Sequence, residues 1–245
     1  TLLMLSHYDV QPLNYIEQWQ SNPWILNRRN GRLFGRGAAD NKIENCYSTG
    51  VISGSRSGGI CGSSVASFNG TLTVSNCYST GAISGLNAGG ICGMGAASSG
   101  GTVTVTNCYS EGVISGQATG GICGSFAGSG SGSSVTVSKC YSRGNITYVG
   151  SSSGSGGICG SFGAANTGTL NVFDCYSLGN ISGTDMGGIC GYRSGSNGGT
   201  VSILNCYSRG AISGTSSGGI CGDITGSTGG TVTVTNSYSA GALTN

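Results

Sequence analysis

The chain has 245 residues, 50 of them glycine, and only 7% are charged, with a formal net charge of +2. So little charge excludes a nucleic-acid binder, which neutralises phosphates with clustered Lys and Arg. A hydrophobic content of 37% also separates the chain from the apolar-poor, highly charged composition of disordered proteins. The length suits one large domain or two small ones. No apolar run approaches the ~20 residues that span a bilayer, so membrane insertion is not expected. The chain starts at Thr1 without an initiator Met or a signal-peptide pattern, which reads as a fragment or a processed product.

Residues 1–42 form a head without repeats. They contain SHYDVQP from Ser6 to Pro12, then Trp19, Pro23 and GRLFGRGAADNK from Gly31 to Lys42. In motif order and spacing these resemble the carnosinase-like family of di-zinc metallopeptidases. The resemblance implies that His7 is a metal ligand, that Asp9 orients it and that Asp40 bridges two metals. A bridging carboxylate and imidazoles hold two ions that activate one water. The likeness stops at Lys42, where the family continues with Gly and this chain has Ile43. His7 is the only histidine, and later acids such as Glu44 and Glu111 occupy repeat positions. Two ligands do not make a zinc site. The head is therefore expected to be a vestige, with no functional metal, no cofactor and no catalysis. Either Leu2 to Leu5 and Arg32 to Gly35 form strands that cap the first coil, or the head is a disordered remnant of a fusion.

From Ile43 to Asn245 the chain repeats. The cysteine of NCYS-type blocks falls at Cys46, Cys77, Cys108, Cys140, Cys175 and Cys206, with Ser237 in the last block. The intervals are 31, 31, 32, 35, 31 and 31 residues. A second series, in GGICG, falls at Cys61, Cys92, Cys123, Cys159, Cys190 and Cys221. The extra residues of its long interval lie in YVGSSSGS, which starts at Tyr148, and the register continues afterwards, as for a surface loop on a solenoid. Each unit holds three strand-like pieces, in one unit Thr102 to Thr106, Val113 to Ser115 and Gly121 to Cys123. The first alternates hydroxyl and apolar side chains with period 2. Gly112, Gly116, Gly120 and Gly121 suit corners that need positive φ or close backbone approach. No segment has the 3.6-residue period of an amphipathic helix.

These features predict an all-β fold, a parallel β-helix of six to seven coils with about 31 residues per coil. Coils would pair at about 4.8 Å. A rival register divides each unit into two shorter coils; the two half-units differ in sequence, which favours the longer coil. The NCYS, GxISG and GGICG blocks resemble GLUG repeats of bacterial surface proteins and adhesins. In that family the glycine block usually reads GGLVG, so this chain consistently carries Cys where Val is common. The resemblance implies an extracellular or cell-surface location and a structural or adhesive role, and supplies no catalytic residues.

Stacked coils turn every repeated position into a ladder. Tyr47, Tyr78, Tyr109, Tyr141, Tyr176, Tyr207 and Tyr238 would form one, either as packing or as a sugar-binding strip. Asn45, Asn76, Asn107, Asn205 and Asn236, interrupted by Lys139 and Asp174, read as corners. The cysteines admit three readings: buried free thiols, disulfides between coils, or metal ligands. Thr71, Thr73, Thr102, Thr104, Thr169, Thr200, Thr231 and Thr233 share one parity, opposite to Val103, Val105 and their equivalents. If the valines point inward, the threonines make a flat outer array that resembles the faces of ice-binding β-solenoids. Ser134, Asn171 and Ser202 interrupt it. No nucleophile has a second histidine to activate it, and no GxxxxGK[ST] motif occurs.

The sequence therefore points to a structural or adhesive repeat module, with an ice-binding face or a truncated metallopeptidase fusion as alternatives. Its expected partners are a glycan or protein surface, or further copies joined through the solenoid ends. The last block stops mid-coil after NSYSAGALTN, which predicts further repeats or end-to-end association.

Overall fold

The computed structural model describes residues 27–29, 32–34, 41–148 and 154–244. Among these residues there is no helix. The chain winds as a parallel β-solenoid in which each residue pairs with its equivalent one repeat away, for example Thr71 with Thr102 and Tyr78 with Tyr109. The full repeat is thus one coil, and the rival half-length coil is not formed.

The longest strands come from the hydroxyl–apolar alternation. Asn41–Glu44, Thr71–Ser75, Thr102–Thr106, Ser134–Ser138, Thr169–Phe173, Thr200–Leu204 and Thr231–Thr235 stack into a 7-stranded parallel sheet. Their β-branched residues suit a pleated surface buried on one side. Each strand then stops at one residue in the left-handed region. Asn45, Asn76, Asn107, Lys139, Asp174, Asn205 and Asn236 have φ between 47° and 55°. Asn and Asp tolerate this conformation better than other side chains, so the asparagine series occupies the corner read from the sequence. Along the corner, the Asn107 amide donates to Asn76 Oδ1 at 3.4 Å and the Asn205 amide to Asp174 Oδ1 at 3.0 Å.

Beyond the corner, the two-residue strands Tyr47–Ser48, Tyr78–Ser79, Tyr109–Ser110, Tyr141–Ser142, Tyr176–Ser177, Tyr207–Ser208 and Tyr238–Ser239 form a second 7-stranded sheet. The sequence pattern missed them as strands because two residues are too short to show a period. The expected strands at 113–115 and 121–123 are instead single bridges at Ile114 and Cys123, with a further bridge at Gly120. The third position widens into strands only in later coils, at Ile146–Tyr148, Ile181–Gly183, Ile212–Ser213 and Leu243–Thr244. The glycines explain the shortness. None of Gly112, Gly116, Gly120 and Gly121 takes a positive φ. A Cβ on Gly112 would instead collide with Gly81 O of the coil before, and one on Gly121 with Gly157 O of the coil after. Close approach, and not left-handed geometry, is what these glycines provide.

The interior has two compartments. The larger holds Val74, Val105, Val137 and their equivalents with Ile91, Ile122 and both cysteine series. The smaller is the column Ile52, Ile83, Ile114, Ile146, Ile181 and Ile212. Between them the coil is pinched, because the serine of each Tyr-Ser strand faces the second glycine of the preceding GGICG block. A Cβ on Gly90 would lie 2.8 Å from Ser110 Oγ. Ser79, Ser110, Ser142, Ser177 and Ser208 are fully buried there, and their hydroxyls find no hydrogen-bond partner. The glycine α-hydrogens that point at them act as weak donors.

In the head, Asn27–Arg29 and Arg32–Phe34 pair antiparallel as a sheet of their own. Arg32–Phe34 is a strand, as expected, but it extends no solenoid sheet. Leu2 to Leu5 lie outside the described residues. The first solenoid strand begins at Asn41, two residues before the boundary read from the sequence, and Lys42 pairs with Thr73.

Candidate functional site

The long strands present one regular outer face. Valine and leucine point inward there and their neighbours outward, as in Thr71–Ser75 and Ser134–Ser138. Thr71, Thr102, Ser134, Thr169, Thr200 and Thr231 stand in register as one column. Thr73, Thr104, Thr136, Asn171, Ser202 and Thr233 form the next. All eight threonines singled out in the sequence therefore lie on one face. A third column, Ser75, Thr106, Ser138, Phe173, Leu204 and Thr235, was missed because Phe173 and Leu204 hide its hydroxyl character. Thr106 and Ser138 hydroxyls are 3.0 Å apart.

Among the described residues, the only charges at outward positions of these strands are Lys42 and Glu44 in the first coil. They pair at 2.7 Å, and Ser75 Oγ donates to Glu44 at 2.9 Å. The Lys42 ammonium and then the Ser75 hydroxyl hold the Glu44 carboxyl below its ordinary value. The rest of the face is neutral and rich in groups that both donate and accept hydrogen bonds.

The tyrosine column is a different kind of surface. From Tyr78 to Tyr207 adjacent ring centroids are 4.9 Å apart, and no pair of planes differs by more than 4°. Each internal ring face is covered by the next ring, so no sugar fits between them. The two end rings are the most exposed, Tyr47 at 50% and Tyr238 at 49%. Arg143 and Arg209 lie 5.0 Å and 5.2 Å from the Tyr141 and Tyr207 ring centres, a cation–π arrangement. Arg143 also pairs with Glu111 at 3.2 Å. Desolvation raises the phenol pKa of Tyr109, Tyr141 and Tyr207. The column works as packing.

None of the twelve cysteines is disulfide-bonded, and all but Cys46 and Cys221 are buried. The NCYS series has a defined role at the corner. Cys77 Sγ accepts the Cys46 N–H at 3.4 Å and donates to Ser75 O at 3.2 Å. The same pattern links Cys108 to Cys77, Cys140 to Cys108 and Cys175 to Cys140. Ser237 performs it with oxygen in the last block, accepting from Cys206 N at 3.0 Å. The GGICG series, Cys61, Cys92, Cys123, Cys159, Cys190 and Cys221, stacks by direct pairing and packs with the isoleucines. Burial pushes the Cys140 thiol up from its ordinary value. No group of three or more His, Cys, Asp and Glu side chains among the described residues is arranged to hold a metal.

His7, Asp9 and Asp40 lie outside the described residues. Their segment does match a known family: the pattern of Peptidase family M20/M25/M40 covers residues 3–47. The succinyl-diaminopimelate desuccinylase of Verminephrobacter eiseniae is 52% identical over 42 residues, 17% of this chain and 10% of that protein. That of Xylella fastidiosa strain M12 is 58% identical over 41 residues, 17% of this chain and 11% of that protein. The chain thus spans about a tenth of the length of these curated relatives. No solved structure matches the chain. The metallopeptidase likeness of the head holds as a fragment, and it runs into the first solenoid strand, Asn41–Glu44. With His7 as the only histidine of the chain, the donors present do not complete a two-metal centre.

Proposed function

We propose that the chain is a structural and adhesive module of a cell surface or the extracellular space, and that the hydroxyl face is its contact surface. The carrying observation is the register of Thr, Ser and Asn in adjoining columns across the long strands, neutral beyond the first coil. A scaffold that fixes many weak donors and acceptors in register spends little ordering entropy on each contact. Such a surface suits a polyhydroxylated or polar partner met over a broad area. The GLUG-like motifs support the same reading. The head fits a truncated, inactive piece of a metallopeptidase joined to this module, a role favoured by the match over residues 3–47. Stoichiometric zinc together with peptide hydrolysis would refute the absence of enzymatic activity.

The test is adhesion of protein-coated beads to glycan-coated and protein-coated surfaces. Replacing Thr102, Thr104 and Thr136 by Lys is expected to abolish adhesion, while the same change at Ser55, Thr80 and Ser84, away from the face, leaves it intact. Equal adhesion by both variants would reject the assignment. The Thr71, Thr102, Thr169, Thr200 and Thr231 column also favours a second reading, an ice-binding face. Absence of thermal hysteresis at high protein concentration would remove it.

A further inference from the structure

The GGICG thiols form a column with a chemistry that packing does not use. Cys61, Cys92, Cys123, Cys159, Cys190 and Cys221 stand in single file, each bridged in register to its equivalent in the next coil. Their side chains lie against one another, Cys61 with Cys92 and Cys159 with Cys190. In the NCYS column, by contrast, the corner holds the thiol, as where Cys77 Sγ donates to Ser75 O. Neighbouring coils repeat at 4.9 Å in the tyrosine column. A disulfide joins residues whose Cα atoms are about 4.4–6.8 Å apart, so the coil spacing falls inside its range. Cys61, Cys92, Cys123, Cys159 and Cys190 are fully buried. Cys221 is only partly buried, so a small solute reaches the column there, and the thiol next to it in register is Cys190.

We propose that Cys190 and Cys221 are an oxidisable dithiol, which peroxide links into a disulfide between their two coils. Cys221 Sγ, as the thiolate, attacks one peroxide oxygen. The O–O bond breaks, a sulfenic acid forms, and the hydroxide released takes up a proton and leaves as water. Cys190 Sγ then attacks the sulfenic sulfur. An S–S bond forms, the S–O bond breaks, and the Cys190 proton leaves with the second water. Two thiols have then lost two electrons to one peroxide. Desolvation raises the Cys221 pKa, so little thiolate is present near neutral pH and the reaction is slow. Disulfide Cβ atoms are about 3.8 Å apart, so the two coils must close by about 1 Å. An interior pair is held at its spacing by coils on both sides. Among the described residues no further bridge of this series follows Cys221, so its coil is free to make that shift. The two cysteines are 31 residues apart, so the link ties one full coil to the one before it.

The test is peptide mass mapping of the whole chain after prolonged exposure to hydrogen peroxide, with free thiols alkylated under denaturing conditions. The wild type is expected to yield a peptide pair joined through Cys190 and Cys221, lighter by two hydrogens than the separate peptides. Dithiothreitol should restore both thiols. Cys190→Ala, which keeps the buried position apolar, should lose the pair and leave Cys221 as a sulfenic acid that dimedone traps. Joined peptides from an interior pair such as Cys92 and Cys123, in place of Cys190 with Cys221, would overturn the inference. So would oxidation of Cys221 in the wild type with Cys190 still alkylated, a Cys221–Cys221 link between copies, or both thiols remaining free.

Discussion

The tyrosine column and the hydroxyl face are built by the same device, one residue type repeated once per coil and stacked in register. In the column, large flat side chains at 4.9 Å spacing satisfy one another, so repetition closes the surface. On the face, short side chains cannot reach across all their neighbours, so repetition leaves an ordered set of donors and acceptors pointing outward. A ladder therefore becomes internal structure or external surface according to the size of its side chain. That distinction separates what holds this protein together from what it offers to a partner.

The sharpest way to break the comparison lies beneath the tyrosines. A Cβ on Gly121 would collide with Gly157 O and sit 2.6 Å from Ser142 Oγ, with backbone on one side and no slack at the pinch. Gly121→Ala is expected to cost about 3 kcal/mol in denaturant unfolding, whereas Thr102→Val on the face should stay within ~0.5 kcal/mol. Next in size, Tyr141→Ala removes two stacked contacts and should cost about 2 kcal/mol without changing adhesion.

The two cysteine series sharpen the same lesson inside the coil. Cys108 already receives a backbone N–H and donates to Thr106 O at 3.3 Å, a role that Ser237 performs with oxygen. Cys108→Ser should change stability by less than ~1 kcal/mol. Cys123 is buried among apolar side chains, so Cys123→Ser strands a hydroxyl and should cost about 2 kcal/mol. Equal costs would mean that the corner hydrogen bonds contribute nothing.

The smallest effect concerns pH. The folded chain holds the Tyr109, Tyr141 and Tyr207 protons more tightly than the unfolded chain does, chiefly through desolvation. The stability this contributes is full below the unfolded value near ~10 and is lost as pH rises through the higher folded values. Ultraviolet titration should show these phenols ionising later in the folded protein than after denaturation.

Much of this architecture was legible in the sequence because a solenoid writes its geometry as a period. The interval between Cys77 and Cys108 is the coil, and the Thr-Val alternation of Thr102 to Thr106 is the strand with its two faces. What stayed hidden was cross-chain geometry without a periodic signal. The Tyr-Ser strands were too short to register, and the pinch between Ser110 and Gly90 joins residues from different blocks. The repeated pairing of YS with GG was the available clue. Phe173 escaped notice because it occurs in one coil only, and period-based reading treats a single departure as noise.

The central claim, that the hydroxyl face is open for contact and the tyrosine column closed, can be tested by hydroxyl-radical footprinting. The protein would be compared free and bound to the surface to which its beads adhere. The account predicts that oxidation of Phe173 falls on binding while that of Tyr141 and Tyr176 is unchanged. Protection of the tyrosines with Phe173 still fully reactive would contradict it.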